Sequence, residues 1–259
     1  MMDKIARALT GKKGLIAYIT AGFPDYAECE RAVLTAVGAG ADVIEIGLPF
    51  SDPLADGPVL QKASADALFA GATTEKTLRL ANRLRQKTAA PLLIMSYINP
   101  IAAFGVDRFA AEAAAAGIDG LILPDVPEEE KDVAAGALEK RGLSLISFIA
   151  PTSGEERIAA ICARARTGFI YCLARTGVTG AGGGFDQATE NLVRTARQYA
   201  HLPIAIGFGI ADAKTARQAA EYADAAIVGS ALVENLRQGG HQAVGSFIRS
   251  LRRELDRCG

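Results

Sequence analysis

Short apolar runs alternate with alanine-rich stretches of helical periodicity along the whole 259-residue chain, and this alternation limits the fold more than any other feature. The runs are Leu15–Thr20, Val43–Ile46, Leu92–Tyr97, Gly120–Leu123, Leu143–Phe148, Phe169–Leu173, Ile204–Ile206 and Ala225–Val228. Between them lie Asp25–Val37, Thr74–Lys87, Asp107–Ala116, Glu128–Arg141, Glu155–Arg164, Glu190–Tyr199 and Ala213–Tyr222. Strands that return after a helical crossover pair in parallel, because tight hairpins serve antiparallel neighbours. Runs that are apolar at consecutive positions suit strands covered on both faces. Eight such runs in a chain close to the ~250 residues typical of the fold predict a (β/α)8 TIM barrel. An open doubly wound sheet is the alternative. Asp3–Leu9 reads as an extra N-terminal helix at the barrel bottom. No Pro/Ser linker or charge block divides the chain, so one domain over residues 1–259 is expected.

A weak internal repeat points the same way. Ala39-Gly40-Ala41-Asp42-Val43-Ile44 resembles Ala116-Gly117-Ile118-Asp119-Gly120-Leu121 and Tyr222-Ala223-Asp224-Ala225-Ala226. These fall at spacings that fit two and three βα units. Gly in two of the copies suits a left-handed helix terminus before the next strand.

Composition excludes several classes of function. A net charge of −1, with scattered Lys and Arg, provides no field for nucleic acid. No run approaches the ~18 apolar residues of a membrane span, and the N-terminus is too polar for a signal peptide. Cys29, Cys162, Cys172 and Cys258 lie far apart without CxxC spacing or partner histidines. Reduced thiols, a cytoplasmic location and no metal site are therefore expected.

In parallel barrels the chemistry gathers where strands end and βα loops begin. Glu45 sits inside the apolar run Asp42-Val43-Ile44-Glu45-Ile46-Gly47. A carboxylate there is costly to bury alone. It is either one half of a core ion pair or a general acid/base whose pKa burial raises. The following segment, Leu48-Pro49-Phe50-Ser51-Asp52-Pro53-Leu54-Ala55-Asp56-Gly57-Pro58, is stiffened by three prolines. Asp56 either caps the next helix or faces a substrate. Gly207-Phe208-Gly209-Ile210 and Gly229-Ser230-Ala231 follow the seventh and eighth runs. Each is expected to open a helix and aim N–H groups at an anion, in the loops where barrels commonly hold phosphate. No Walker or G-x-G-x-x-G fingerprint is present, which favours a phosphate ester over a nucleotide. The segment Arg175–Gly184 suits either a simple connector or a mobile lid.

Taken in order, these motifs resemble those of the tryptophan synthase alpha subunit family over essentially the whole chain. They are Thr20-Ala21-Gly22-Phe23-Pro24, Glu45 through Pro58, Tyr97-Ile98-Asn99-Pro100, Pro124-Asp125-Val126-Pro127-Glu128-Glu129, Ala150-Pro151-Thr152-Ser153, Arg175-Thr176-Gly177-Val178-Thr179-Gly180 and the two glycine turns. The resemblance implies retro-aldol cleavage of indole-3-glycerol phosphate to indole and glyceraldehyde 3-phosphate. Within it Glu45 is the proton shuttle, and Asp56 accepts the indole N–H. Tyr171 helps position Glu45, and Tyr18, Leu60 and Phe208 form the ring slot. Gly180, Phe208, Gly209, Gly229 and Ser230 hold the phosphate, while Thr179 couples the lid to Asp56. It further implies a beta-subunit partner in an alpha2beta2 assembly, contacted through Pro49–Pro53. Pyridoxal phosphate is expected only in that partner, with no cofactor in this chain. Leu48 stands where valine is commoner, and the lid carries extra glycine. Other phosphate-binding barrels, or a non-catalytic barrel that only activates a partner, are the rival readings.

Overall fold

All eight apolar runs form strands, and every paired strand runs parallel to its neighbour. The computed structural model describes residues 2–174, 187–207 and 209–258. The strands are β1 (Gly14–Thr20), β2 (Val43–Gly47), β3 (Leu92–Met95), β4 (Gly120–Ile122), β5 (Ser144–Leu145), β6 (Ser147–Ile149), β7 (Ile170–Leu173), β8 (Ile204–Gly207) and β9 (Ala225–Val228). The helices are α1 (Lys4–Ala8), α2 (Tyr26–Gly38), α3 (Pro58–Phe69), α4 (Thr74–Arg85), α5 (Ile98–Phe104), α6 (Val106–Ala115), α7 (Asp132–Glu139), α8 (Glu155–Arg164), α9 (Gln187–Tyr199), α10 (Ala213–Tyr222) and α11 (Ser230–Asp256).

Hydrogen bonding orders the strands β5-β4-β3-β2-β1-β9-β8-β7-β6. The two end members are separated only by Ile146, whose N–H donates to Leu121 O at 3.0 Å. The fifth run is therefore one strand that pairs with β4 through its first half and β7 through its second. The ring closes through it, which gives the (β/α)8 barrel and rules out the open sheet. The extra helix α1 lies at the strand-starting end. Asp3 caps it and also accepts the Gly168 N–H at 2.7 Å, while Ile5 and Leu9 are buried.

Two predicted elements differ. The stretch Glu128–Arg141 divides into a 3-10 turn (Glu128–Glu130) and α7. Lys131 between them turns inward to Glu128 and to Ser147 Oγ at 2.6 Å, which favours the tighter i→i+3 turn. Gly209 does not open a helix: α10 begins at Ala213, where Asp212 and Thr215 form a capping box. Gly229, by contrast, is the N-cap of α11. That helix is broken at Gly239 and Gly240, so residues 230–238 form a short separate stretch at its start.

The sequence repeat has a structural meaning. Asp42, Asp119 and Asp224 immediately precede or lead into β2, β4 and β9. Each accepts the N–H of a residue on a neighbouring strand: Leu15 at 2.9 Å, Leu92 at 2.8 Å and Ile204 at 2.8 Å. Each also binds an arginine, Arg252, Arg85 and Arg197 respectively. Gly40 and Gly117 adopt φ of 111° and 81°, the left-handed turn that the repeat implied. These clasps sit at the barrel's bottom, where side chains serve stability. Asp119→Ala would orphan the Leu92 N–H, free Lys4 and take from Arg85 its carboxylate partner, leaving its bonds to the Gly117, Thr88 and Ala90 carbonyls. A loss of about 2–4 kcal/mol in chemical denaturation is expected, with no direct effect on chemistry at the opposite face.

Candidate active site

Side chains two apart on a strand share a face, and register therefore decides which groups meet inside the barrel. Tyr18 is the register partner of Glu45, Glu45 of Leu93, and Thr20 of Gly47. On the other side Tyr171 partners Phe148 and Ala205. Tyr18, Glu45, Asp56, Leu60, Tyr171, Gly209, Gly229 and Ser230 all line one pocket that is open to solvent. It encloses about 590 Å³ of atom-free space, part of it continuous with open solvent. The carboxylates and both described glycine turns thus face one another across a single mouth. Thr179, Gly180 and Phe208, with the segment 175–184, lie outside the described residues.

Glu45 is only 1% exposed. Its Oε1 has no hydrogen-bond partner among the described residues, and no ion pair from them reaches it, so the described residues supply no partner for the core-ion-pair reading. Burial alone pushes its carboxyl from 4.5 up to about 8. At neutral pH the group holds a proton and has a free oxygen aimed into the pocket, as a general acid requires.

Asp56 is half-buried at the end of the proline-stiffened loop. It caps nothing: Gly57 is the N-cap of α3, and no side chain satisfies that helix start. Its Oδ1 is likewise buried and unpartnered among the described residues. Burial raises its carboxyl from 3.8 to about 6, and the nearby Tyr97 hydroxyl pulls it back down. Two carboxyls with separated pKa values, one neutral and one charged at pH 7, are chemically suited to separate acid and anionic roles.

The loop bearing Asp56 is anchored at both ends. Ser64 Oγ accepts the Phe50 N–H at 2.8 Å and donates to Phe50 O at 3.0 Å. Tyr97 Oη accepts the Ala55 N–H at 2.9 Å, and its ring lies 5.5 Å from that of Phe50. Sequence reasoning assigned Tyr97 no role. It also passed over Met95, Ile210, Ile227 and Gly57, which line the pocket. Strand parity could have found two of these: Met95 lies two residues past Leu93, and Ile227 pairs with Ile16, two residues before Tyr18.

No Lys, Arg or His lines the pocket among the described residues. An anion at Gly229 and Ser230 would meet backbone N–H groups at the start of a short helix, where the helix dipole favours negative charge. A protonated Glu45 spares that anion a second negative charge.

A family model for the tryptophan synthase alpha chain matches residues 6–255. The chain is 44% identical over 248 residues to the tryptophan synthase alpha chain of Synechococcus elongatus, covering 95% of this chain and 93% of that one. Identity to the Burkholderia cenocepacia alpha chain is 42% over 259 residues, with 98% and 95% covered. Among solved structures, tryptophan synthase from Mycobacterium tuberculosis superposes with a TM-score of 0.90 at 33% identity, covering 99% of each chain. Tryptophan synthase subunit alpha from Legionella pneumophila gives 0.89 at 34% identity, covering 99% of this chain and 100% of that one.

Proposed function

The chain belongs to the tryptophan synthase alpha chain family, and from that premise we propose that Glu45 and Asp56 carry its lyase reaction in tryptophan biosynthesis. The reaction cleaves indole-3-glycerol phosphate to indole and glyceraldehyde 3-phosphate. Glu45 gives its proton to indole C3, and positive charge develops at the ring nitrogen. The Asp56 carboxylate accepts the ring N–H and stabilises that charge, an interaction stronger in the transition state than before it. Glu45, now ionised, takes the proton of the side-chain hydroxyl beside the scissile bond. That O–H pair becomes the aldehyde carbonyl, the C–C pair returns to the ring, and indole leaves. The protons balance: one moves from hydroxyl to C3 through a single carboxyl.

The observation that carries this reading is the presence of two carboxyls, each with one buried oxygen that has no partner among the described residues, one raised to about 8 and one to about 6, in the pocket that also holds the Gly229–Ser230 helix start. Gly209, Gly229 and Ser230 hold the phosphate, Tyr18 and Leu60 flank the ring, and Tyr171 packs near Glu45. Thr179, Gly180 and Phe208 complete the lid, the phosphate grip and the slot. The whole chain, residues 1–259, acts as one domain in the cytoplasm. The family implies a beta-subunit partner; an alpha2beta2 assembly, with pyridoxal phosphate held by that partner, completes the reading. This chain's own reaction runs on carboxylates. The loop around Pro49–Pro53 is the contact region, and Leu54 beside it is 91% exposed.

Indole released from indole-3-glycerol phosphate by the pure chain, and again with a beta subunit added, tests the activity. No indole in either case overturns it. The pH dependence of kcat/KM is expected to rise through about 6 as Asp56 ionises and to fall through about 8 as Glu45 loses its proton. A profile flat between about 5 and 9 would detach the two carboxyls from the reaction.

A further inference from the structure

Tyr18, which lines the pocket, forms a fitted pair with Gly47 behind it that neither the motifs nor the proposed chemistry explains. Gly47 ends β2, two residues past Glu45 and on the same inward face. A Cβ built at Gly47 would lie 2.0 Å from the Tyr18 hydroxyl oxygen, 2.4 Å from Cζ and 2.7 Å from Cε2. The far end of the Tyr18 ring therefore occupies the space a side chain at 47 would fill. The stem of Tyr18 is fixed as well. It stands on β1 in register with Glu45, and the Gly229 turn lies alongside, where an added Cβ would come 3.8 Å from Tyr18 Cβ. Thr20 Oγ1 donates to the Tyr18 hydroxyl at 3.4 Å and holds the tip over Gly47. Strand β1 is buried at every position, so a displaced phenol has one direction open to it, into the pocket.

We infer that Gly47 is a specificity-determining residue: by leaving a notch for the Tyr18 ring, it sets the width of the slot that takes the substrate's bicyclic ring. Any side chain at 47 drives the phenol off β2 and into the space between Leu60, Asp56 and Gly229. A bicyclic ligand then loses its seat, while a single six-membered ring loses less. The inference rests on the ring slot of the proposed function, but a binding measurement tests it without catalysis.

The test is a double-mutant cycle read by calorimetry, with 3-indolylpropyl phosphate and 3-phenylpropyl phosphate as probes. Gly47→Ala is expected to weaken the indolyl probe by about tenfold or more and the phenyl probe by a smaller factor. Tyr18→Leu has no atoms that reach the notch, so in that background Gly47→Ala should cost less than about threefold. Tyr18→Phe keeps Cζ and Cε2, and should not relieve the clash. A Gly47→Ala penalty that is the same with Tyr18 present as it is in the Tyr18→Leu background overturns the inference, as does a Gly47→Ala protein that binds the indolyl probe normally. Should Gly47→Ala fail to fold, recovery of folding in the double variant supports the notch, and failure of both refutes it. Indole production by the wild-type chain, measured in parallel, reports separately on the proposed function.

Discussion

Glu45→Gln is expected to lower indole release by roughly 10³-fold or more and at the same time to make the protein more stable. Glutamine matches glutamate in shape but has no proton to give to C3 and cannot take one from the hydroxyl. Its effect on stability follows from the same burial that prepares the acid. In the unfolded chain this carboxyl ionises near 4.5, whereas in the fold it stays protonated up to about 8. A pKa raised by folding leaves stability intact below the unfolded value and withdraws it as pH rises through the folded one. At about 1.36 kcal/mol per pH unit, the full interval corresponds to a cost on the order of 5 kcal/mol above pH 8. Relaxation and water entry reduce this, and a gain of about 2–4 kcal/mol for Glu45→Gln is expected there. Urea denaturation at about pH 4.5, 6.5 and 8.5 checks it: the two proteins should be nearly equal at the lowest pH and diverge upward. A glutamine variant that is less stable at the highest pH would mean that Glu45 is paired and ionised in the fold, and the proton-shuttle role would fall with it.

Asp56→Asn carries the second large effect. Asparagine still offers an oxygen to the indole N–H, but without the negative charge that offsets the cation formed on C3 protonation. Removing one such electrostatic partner costs about 10²–10³ in kcat, and the substrate's other contacts leave KM within a few-fold. Because Gly57 caps α3 without a side-chain bond, the thermal midpoint should not fall, and above about pH 6 relief of the half-buried charge moves it, if at all, upward. The rise of kcat/KM through about 6 should vanish with the titrating group. A near-normal rate with a depressed midpoint would return Asp56 to a structural role. Tyr97, which holds Ala55 and faces Asp56, is the residue whose loss would blur the two readings, and it should be left intact in the comparison.

Much of this was legible before any coordinates. The strand at Ala225–Val228 and the helices at Glu155–Arg164 and Ala213–Tyr222 match the observed bounds, because apolar periodicity and caps are local signals. The Asp42, Asp119 and Asp224 repeat was visible too, yet its use was not: each carboxylate serves an N–H on a neighbouring strand, between 20 and 27 residues away in the chain. The split at Ile146 was equally hidden, since a strand that changes partner midway has the same composition as one that does not.

Two questions about Glu45 and Asp56 stayed open in the sequence, and the fold answers the structural half of each: no described residue pairs with Glu45 Oε1, and Asp56 caps no helix. An acid in an apolar run is ion-paired or poised according to what stands opposite it, and a run of letters does not say what stands opposite. Residue order alone pointed to most of the elements and singled out the two carboxyls as candidates, because hydrophobic period, proline and glycine act on near neighbours, while the closed ring and the bounds of Glu128–Arg141 were decided by packing. It took the folded barrel to establish that Glu45 Oε1 and Asp56 Oδ1 have no partner among the described residues, that Gly229 but not Gly209 begins a helix, and that Tyr18 lies in the gap left by Gly47. Those facts depend on closing the ring. Desolvation and close approach are set by groups brought together from both ends of the chain.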